Sequence, residues 1–228
     1  MTAINKTVTR RQFLGGSLGV AGLALAGCTT VQQNGAAPGT LFAGPELNFA
    51  KNYGRRPAEK FPLPAISPTV LKPQYRRRRV KYATNEKPGS LIVDTRNFYL
   101  YLVEPGGTAM RYGVGLGRQG FEWSGRARVA WKRPWPTWTP PSEMIARDPR
   151  LAKWSAKNGG MPPGLGNPLG ARALYIFQGN VDTLYRLHGT NEPNSIGKAV
   201  SSGCVRLVNQ DVIDLYERTN SGAAILVV

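Results

Sequence analysis

From residue 89 to the C-terminus, short runs of β-branched and aromatic residues alternate with turn residues, and this pattern most constrains the fold. The runs SLIVDT and FYLYLVE are separated by Arg96-Asn97, which predicts a β-hairpin. Further strands are predicted in TAMRYGVGLG, RARVAWKRPWPTW, LYIFQG, TLYRLHG and CVRLV, and a buried closing strand in AAILVV. Pro134 and Pro136 predict that their strand lies at an edge or ends there. The sequence predicts a mainly β domain whose mixed sheets curl into a sandwich or barrel-like core.

One amphipathic helix is predicted near the C-terminus. Apolar residues and a threonine recur there at the i, i+3, i+4 and i+7 spacing of one helical face: Val212, Leu215, Tyr216 and Thr219. Asn209 is the expected N-cap, Asp211 lies in the first turn, and Gly222 is the expected C-terminal cap. PPSEMIARDP predicts a second, short helix, and the Gly/Pro-rich residues 158–174 predict a loop that forms a functional wall.

The stretch HGTNEPNSIGKAVSSGCVRLVN, residues 188–209, contains the only histidine of the chain and, at Cys204, the only cysteine outside the N-terminal leader. A thiol becomes a strong nucleophile when a neighbouring imidazole takes its proton or stabilises the thiolate. Both residues are expected at strand ends, which would bring them together on neighbouring strands. The alternative is a buried, inert cysteine that shares a loop with a core histidine.

Small residues precede the cysteine, in the order Ser201-Ser202-Gly203-Cys204. The backbone N–H groups of Gly203 and Cys204 can therefore point at a developing oxyanion. Arg206 follows two residues later and would share a strand face with Cys204. In a functional role, Arg206 favours the thiolate or holds a substrate carboxylate. The alternative is a structural role, in which it forms an ion pair with Asp211 or Asp214.

Composition limits the possible cofactors and partners. Two cysteines and one histidine are too few for most zinc or iron–sulfur sites, so no metal or other cofactor is expected. The formal charge of +17 predicts attraction to a polyanion or an anionic surface.

Residues 1–27 have the features of an export signal. TRRQFLGG followed by the apolar SLGVAGLALAGC resembles a twin-arginine signal, and LAGC resembles a lipobox that ends at Cys28. The alternatives are an ordinary signal peptide or a short anchor. We expect a periplasmic protein, attached by a lipid on Cys28 to the outer membrane, for which Thr29 gives weak support. Nucleic-acid binding, which RRRR at residues 76–79 would otherwise suggest, is then not expected.

Residues 28–82 are rich in proline and carry ten basic but only two acidic residues. Such a composition favours an extended tether that could contact anionic lipid or wall polymer, or a merely solvated linker. Its aromatic residues, including Phe42, Phe49, Tyr53 and Phe61, predict that parts of it pack on the domain, which we place at residues 83–228.

HGT at residues 188–190 and GCVRL at residues 203–207, inside a β-rich domain of an exported chain, resemble the catalytic signature of the L,D-transpeptidases of the YkuD type. The resemblance extends over residues 89–228 and implies the roles of five residues. Cys204 would be the nucleophile, His188 the general base and acid, and Gly189 the source of the carbonyl that accepts the imidazole N–H. Ser201 and Arg206 fit positions near the site, whereas Ser202 stands where many members carry a second histidine.

The resemblance implies acyl transfer on peptidoglycan stem peptides without ATP or metal. The cysteine would displace the terminal D-alanine of a tetrapeptide stem and form a thioester, which an amine resolves into a 3→3 cross-link. A lipoprotein lysine as acceptor would instead anchor that lipoprotein to the wall. The alternatives are a carboxypeptidase or hydrolase on the same scaffold and a non-catalytic, wall-binding lipoprotein.

Overall fold

The computed structural model describes residues 49–117, 124–201 and 204–228 of the chain. Eleven strands lie in these ranges: β1 (Arg78–Lys81), β2 (Leu91–Asp94), β3 (Tyr99–Glu104), β4 (Thr108–Gly113), β5 (Leu116–Gly117), β6 (Gly125–Pro134), β7 (Arg172–Gln178), β8 (Val181–His188), β9 (Ala199–Ser201), β10 (Val205–Arg206) and β11 (Ala224–Val227). The helices are α1 (Phe49–Tyr53), α2 (Ser142–Arg147) and α3 (Asn209–Arg218). Short 3-10 turns occupy Pro73–Tyr75, Pro149–Trp154, Ala156–Asn158 and Pro193–Ser195.

Nine of these strands form one mixed sheet in the order β1-β4-β3-β2-β11-β6-β7-β8-β10. The predicted hairpin is confirmed, because β2 and β3 pair in antiparallel register from Leu91 opposite Leu102. The predicted closing strand β11 is parallel to β2 and antiparallel to β6. The strand β6 is therefore paired on both sides, so Pro134 marks the end of a strand and not an edge.

The sheet curls so that the chain just after its second strand, β4, meets its last strand, β10. Gly115, just after β4, exchanges two backbone hydrogen bonds of 2.9 and 2.8 Å with Arg206 of β10, the last strand in the order. The next residues form β5, which pairs in parallel with β9. This closure confirms the predicted mainly β fold with mixed sheets, and it places β10 inside the molecule.

One hydrophobic core fills the curled sheet. In β2, β3 and β7 the core residues alternate along the strand, as the period of two requires. The buried side chains include Leu91, Val93, Leu100, Leu102, Leu174 and Ile176. Val212 and Leu215 of α3 complete the core, so the predicted amphipathic helix is confirmed.

Both predicted caps of the C-terminal helix are wrong. The helix begins at Asn209, and its N-cap is Val208, which provides no side-chain hydrogen bond. It ends at Arg218, and the C-cap residue Thr219 donates its N–H to the carbonyl of Leu215. Gly222 lies beyond the helix, with a φ of 89°, and its N–H donates to the Val129 carbonyl in the turn before β11.

Residues 49–82 lie in the region that the sequence assigns to the tether. The strand β1 pairs with β4 at one edge of the large sheet. Tyr53 and Leu71 are buried against Val208, with Phe49 packed beside them, and Phe61 packs against Trp135. The prediction that aromatic residues of this segment pack on the domain is confirmed for Phe49, Tyr53 and Phe61. Phe42, Cys28 and the leader lie outside the described residues.

Among the described residues, no helix has the length and apolar character needed to cross a bilayer.

Candidate active site

His188 is the last residue of β8, at the strand end where the sequence places it. It lies between Ala173 of β7 and Arg206 of β10 in the strand register. Since the preceding Leu187 points into the core, the imidazole faces the opposite side of the sheet. The side chain is nevertheless buried.

A single hydrogen bond sets the tautomer of His188. The Nδ1 atom lies 2.5 Å from the carbonyl oxygen of Gly189. Because a carbonyl oxygen can only accept, Nδ1 carries the ring proton and Nε2 keeps its lone pair. The pKa of His188 is lowered to about 4, mainly by burial and also by the positive charges of Arg206 and Arg186, although the Gly189 hydrogen bond opposes this shift. The imidazole is therefore a neutral base at pH 7.

Cys204 lies immediately before β10, not inside it as the sequence predicted. Val205 is paired with Leu187, so Cys204 comes beside Arg186 and is a diagonal neighbour of His188 on the same face. Diagonal neighbours on paired strands have Cα atoms about 7–8 Å apart, within reach of a thiol and an imidazole.

The thiol of Cys204 contacts the backbone of β8. Its Sγ lies 4.0 Å from the carbonyl oxygen of Leu184, to which the S–H can donate. Burial raises the pKa of Cys204, while a hydrogen bond from the Arg186 backbone and the charges of Arg186 and Arg206 lower it. The site thus holds a neutral thiol beside a neutral imidazole, and nucleophilic attack by such a sulfur would require its proton to leave at the same time.

An unusual backbone conformation creates the contact at Leu184. The pairing between β7 and β8 shifts register between Tyr175 and Phe177, and Leu184, in the irregular part of β8, has a φ of 61°. This left-handed conformation is rare for a residue with a branched side chain. It turns the Leu184 carbonyl toward Cys204, and the side chain of Leu184 is exposed.

Arg206 pairs with a different carboxylate from the two that the sequence suggested. Its Nη1 donates to Oε2 of Glu192 at 2.8 Å. Asp211 and Asp214 are instead paired with Arg77. Arg77 belongs to residues 49–82, the N-terminal segment of the described chain. Arg206 therefore stays beside Cys204 and His188, with part of its charge offset by a largely exposed glutamate.

Asn209, which the sequence predicts as a helix cap, instead shapes the site. Its Oδ1 accepts from the Ala171 N–H at 2.8 Å, and its Nδ2 donates to the Thr190 carbonyl at 3.0 Å. A Cβ at Gly189 or Gly170 would overlap this amide. The side chain therefore holds two glycine-containing segments together and fixes the carbonyl that orients His188.

A second unpredicted contact supports the chain that leads to Cys204. The ring of Tyr75, in the N-terminal segment, lies against Gly197, where a Cβ would overlap it. Ile196 packs in the same cluster as Tyr53 and Leu71. These contacts fix the residues just before β9.

The remaining predicted site residues are described in part or not at all. The backbone of Ser201 ends β9, opposite Gly117 of β5. Ser202 and Gly203 lie outside the described residues, so the proposed oxyanion pocket stays a prediction.

The family model and the curated relatives name one family. A model of the L,D-transpeptidase catalytic domain, YkuD, matches residues 88–228. Two proteins of Escherichia coli K12, the probable L,D-transpeptidases YbiS and YcfS, are 34% and 31% identical to the chain over 140 and 142 residues. The matches cover 59% and 60% of this chain but only 43% of each relative, so the chain spans less than half of their length.

Two solved structures were compared as well. A probable carnitine operon oxidoreductase from Brucella melitensis is 46% identical, with a TM-score of 0.48, over 68% of this chain and 94% of that one. An L,D-transpeptidase from Mycobacterium smegmatis is 20% identical, with a TM-score of 0.42, over 60% and 57%. Both TM-scores are below 0.5, so the assignment rests on the family match, which covers more than half of the chain. The chain belongs to the family of L,D-transpeptidase catalytic domains of the YkuD type.

Proposed function

We propose that the protein is a peptidoglycan L,D-transpeptidase in which Cys204 is the nucleophile and His188 the general base. The observation that carries this proposal is the tautomer of His188. The Gly189 carbonyl accepts the Nδ1 proton, which leaves Nε2 as a base on the face that Cys204 shares. Family membership supports the substrate class, since L,D-transpeptidases act on the stem peptides of the wall.

The first half-reaction forms an acyl-enzyme. Cys204 Sγ attacks the carbonyl carbon of the third stem residue while its proton moves to Nε2 of His188. The predicted N–H groups of Gly203 and Cys204 stabilise the oxyanion. As the carbon–nitrogen bond breaks, His188 returns the proton to the leaving amine, and D-alanine departs from a thioester.

The second half-reaction regenerates the thiol. The side-chain amine on the third residue of a neighbouring stem attacks the thioester and gives its proton to Nε2 of His188. The carbon–sulfur bond then breaks, and the proton passes to the cysteine sulfur. The product is a 3→3 cross-link, and the energy comes from the exchanged peptide bond.

Purified disaccharide-tetrapeptides test the proposal. We expect the full-length protein to release D-alanine and to form 3→3 dimers, both identified by mass spectrometry. Cys204→Ala should abolish both products, because Cys204 is the only cysteine among the described residues and a thioester needs a thiol. The matched control Cys28→Ala removes the other cysteine and should keep both.

Two results would change the proposal. Dimers formed by Cys204→Ala would show that Cys204 is not the nucleophile. Tripeptides without dimers from the unmodified protein would indicate a hydrolase, with water as the acceptor.

A further inference from the structure

A row of side chains crosses four neighbouring strands on the face that carries the catalytic pair. Trp131 of β6 is opposite Tyr175 of β7, and Tyr175 is opposite Arg186 of β8. Cys204 follows next, one residue before the pair formed by Val205 and Leu187. Trp131, Tyr175, Arg186 and Cys204 therefore form one continuous line across the sheet.

The side chains of this row stack on one another. The rings of Trp131 and Tyr175 have centroids 3.4 Å apart and planes inclined by only 14°. The guanidinium of Arg186 lies 4.4 Å from the Tyr175 ring centroid on the thiol side. Asp182 holds that guanidinium through two hydrogen bonds of 2.7 and 2.8 Å. The row is therefore fixed before any ligand arrives.

Trp131 ends the row and is partly open to solvent, with the guanidinium of Arg133 5.7 Å from its ring centroid. It is 39% exposed, whereas the neighbouring core residues of β6 and β7, Val129 and Leu174, are fully buried. A large aromatic side chain that is rigid and half exposed suits a ligand with both apolar and polar groups. The pyranose ring of an amino sugar has this character, since its C–H groups can stack on the indole while its hydroxyl and amide groups remain in water.

The length of the row matches the length of a stem peptide. Paired strands are about 4.8 Å apart, so Trp131 on β6 is about 14 Å from Cys204 beside β10. Three stem residues separate the scissile carbonyl from the sugar, and three extended residues span about 10–11 Å. A stem that places its third carbonyl at Cys204 and runs along the row brings its sugar over β7 and β6.

We propose that Trp131, supported by Tyr175, is a subsite for the amino sugar that carries the donor stem. This inference rests on the proposed transpeptidase function and adds to it a requirement for the glycan. The enzyme would then prefer stems attached to sugar over the same free peptides.

The test compares two donors that differ only in the sugar. D-alanine release by the full-length protein is measured with a disaccharide-tetrapeptide and with the free tetrapeptide, at a fixed acceptor concentration. Trp131→Ala should raise KM for the disaccharide-tetrapeptide about threefold to tenfold, as expected for the loss of one ring contact. Its effect on KM for the free tetrapeptide, which has no sugar to bind, should be clearly smaller. Trp131→Phe should keep most of the affinity.

A matched control removes a ring from another stacked pair of the same sheet. Tyr82 stacks on Tyr101 of β3 with centroids 4.2 Å apart, and β3 contributes no residue to the row. Tyr82→Ala should change neither reaction.

The other outcomes separate the two proposals. If the unmodified protein releases D-alanine from neither donor, both proposals fall. If it uses both donors with equal KM, or if Trp131→Ala weakens both equally, the sugar subsite is wrong and the transpeptidase proposal stands.

Discussion

His188 works in a place where burial and two nearby arginines keep it uncharged. The family resemblance implied that Gly189 supplies a carbonyl to the imidazole, and the structure places that carbonyl at 2.5 Å from Nδ1. A neutral imidazole can accept the thiol proton directly, whereas an imidazolium could not. The pH dependence of acylation should therefore report the pKa of His188.

Removal of the positive charge at Arg206 should move the acid limb of acylation to higher pH. Acylation slows as the pH falls through the pKa of His188, because the protonated ring is no longer a base. That pKa is lowered from 6.5 to about 4, and Arg206 is one of the cations that lower it. In Arg206→Gln the pKa rises toward its ordinary value, so the rate begins to fall earlier on acidification.

The measurement is the second-order rate of Cys204 acylation by a carbapenem, from about pH 4 to about pH 8. Arg206→Lys keeps the charge and should leave the acid limb in place. An equal shift in both variants would show that the geometry of Arg206, and not its charge, acts on His188.

At the residue scale, the sequence predicts the reacting groups but not the groups that hold them. His188 and Cys204 could be found because each is the only residue of its type outside the leader. Asn209 was expected to cap a helix, the usual role of a short polar residue there. In the structure, its side-chain oxygen and nitrogen form hydrogen bonds with Ala171 and Thr190, which are distant in sequence. Only the folded structure brings those partners to it.

At the scale of elements, regular strands were predictable and their irregularities were not. The period of two in β2, β3 and β7 follows directly from alternating side chains. The left-handed conformation of Leu184 has no sequence signal, since Gly or Asn would ordinarily occupy such a position. The carbonyl beside the thiol therefore depends on a feature that pattern analysis overlooks.

The 3-10 turn Pro73–Tyr75 should act on catalysis through one ring. Tyr75 fills the space beside Gly197, so Tyr75→Ala leaves the chain before β9 without support. We expect the acylation rate of Cys204 to fall by about tenfold or more, because small displacements of a reacting group are costly. Tyr75→Phe keeps the ring and should react at the normal rate.

Thermal unfolding separates a local effect from a global one. If Tyr75→Ala slows acylation only in proportion to the unfolded fraction, the ring stabilises the fold and does not position the site. A normal acylation rate in a stable Tyr75→Ala variant would exclude a positioning role.

At the scale of the whole molecule, a buried polar cluster joins the N-terminal segment to α3. The Tyr53 hydroxyl donates to Asp211 Oδ2 at 3.2 Å and accepts from the Arg77 backbone N–H. The guanidinium of Arg77 lies 3.6 Å from Asp211 and 2.9 Å from Asp214. Such a cluster is costly to break, because removal of one partner leaves a buried charge without compensation.

Asp211 gives this cluster an unusual dependence on pH. Burial raises the pKa of Asp211 from 3.8 to about 7, against the opposing charge of Arg77. Between these two values the folded protein holds a proton that the unfolded chain has released. The contribution of Asp211 to stability is therefore fully present below the unfolded pKa and is lost as the pH rises through about 7.

His188 contributes in the opposite direction over an overlapping range. Its pKa is about 4 in the folded protein and 6.5 as its ordinary value, so between them only the unfolded chain is protonated. This contribution to stability grows as the pH rises from about 4 to about 6.5, with a slope of at most about 1.4 kcal/mol per pH unit. In the shared window the two buried groups offset each other.

Substitution of either group should reveal the pH-dependent contribution that the group itself makes to stability. We expect the free energy of unfolding of Asp211→Asn, measured relative to the unmodified protein by urea denaturation, to rise with pH from about 4 to about 7. For His188→Gln the same difference should fall with pH up to about 6.5. The difference in free energy of unfolding between variant and unmodified protein cancels the contributions of the carboxylates that both proteins share. A difference for Asp211→Asn that does not change with pH would mean that Arg77 keeps the buried carboxylate ionised, and the cluster would then join the N-terminal segment to α3 as an ordinary ion pair.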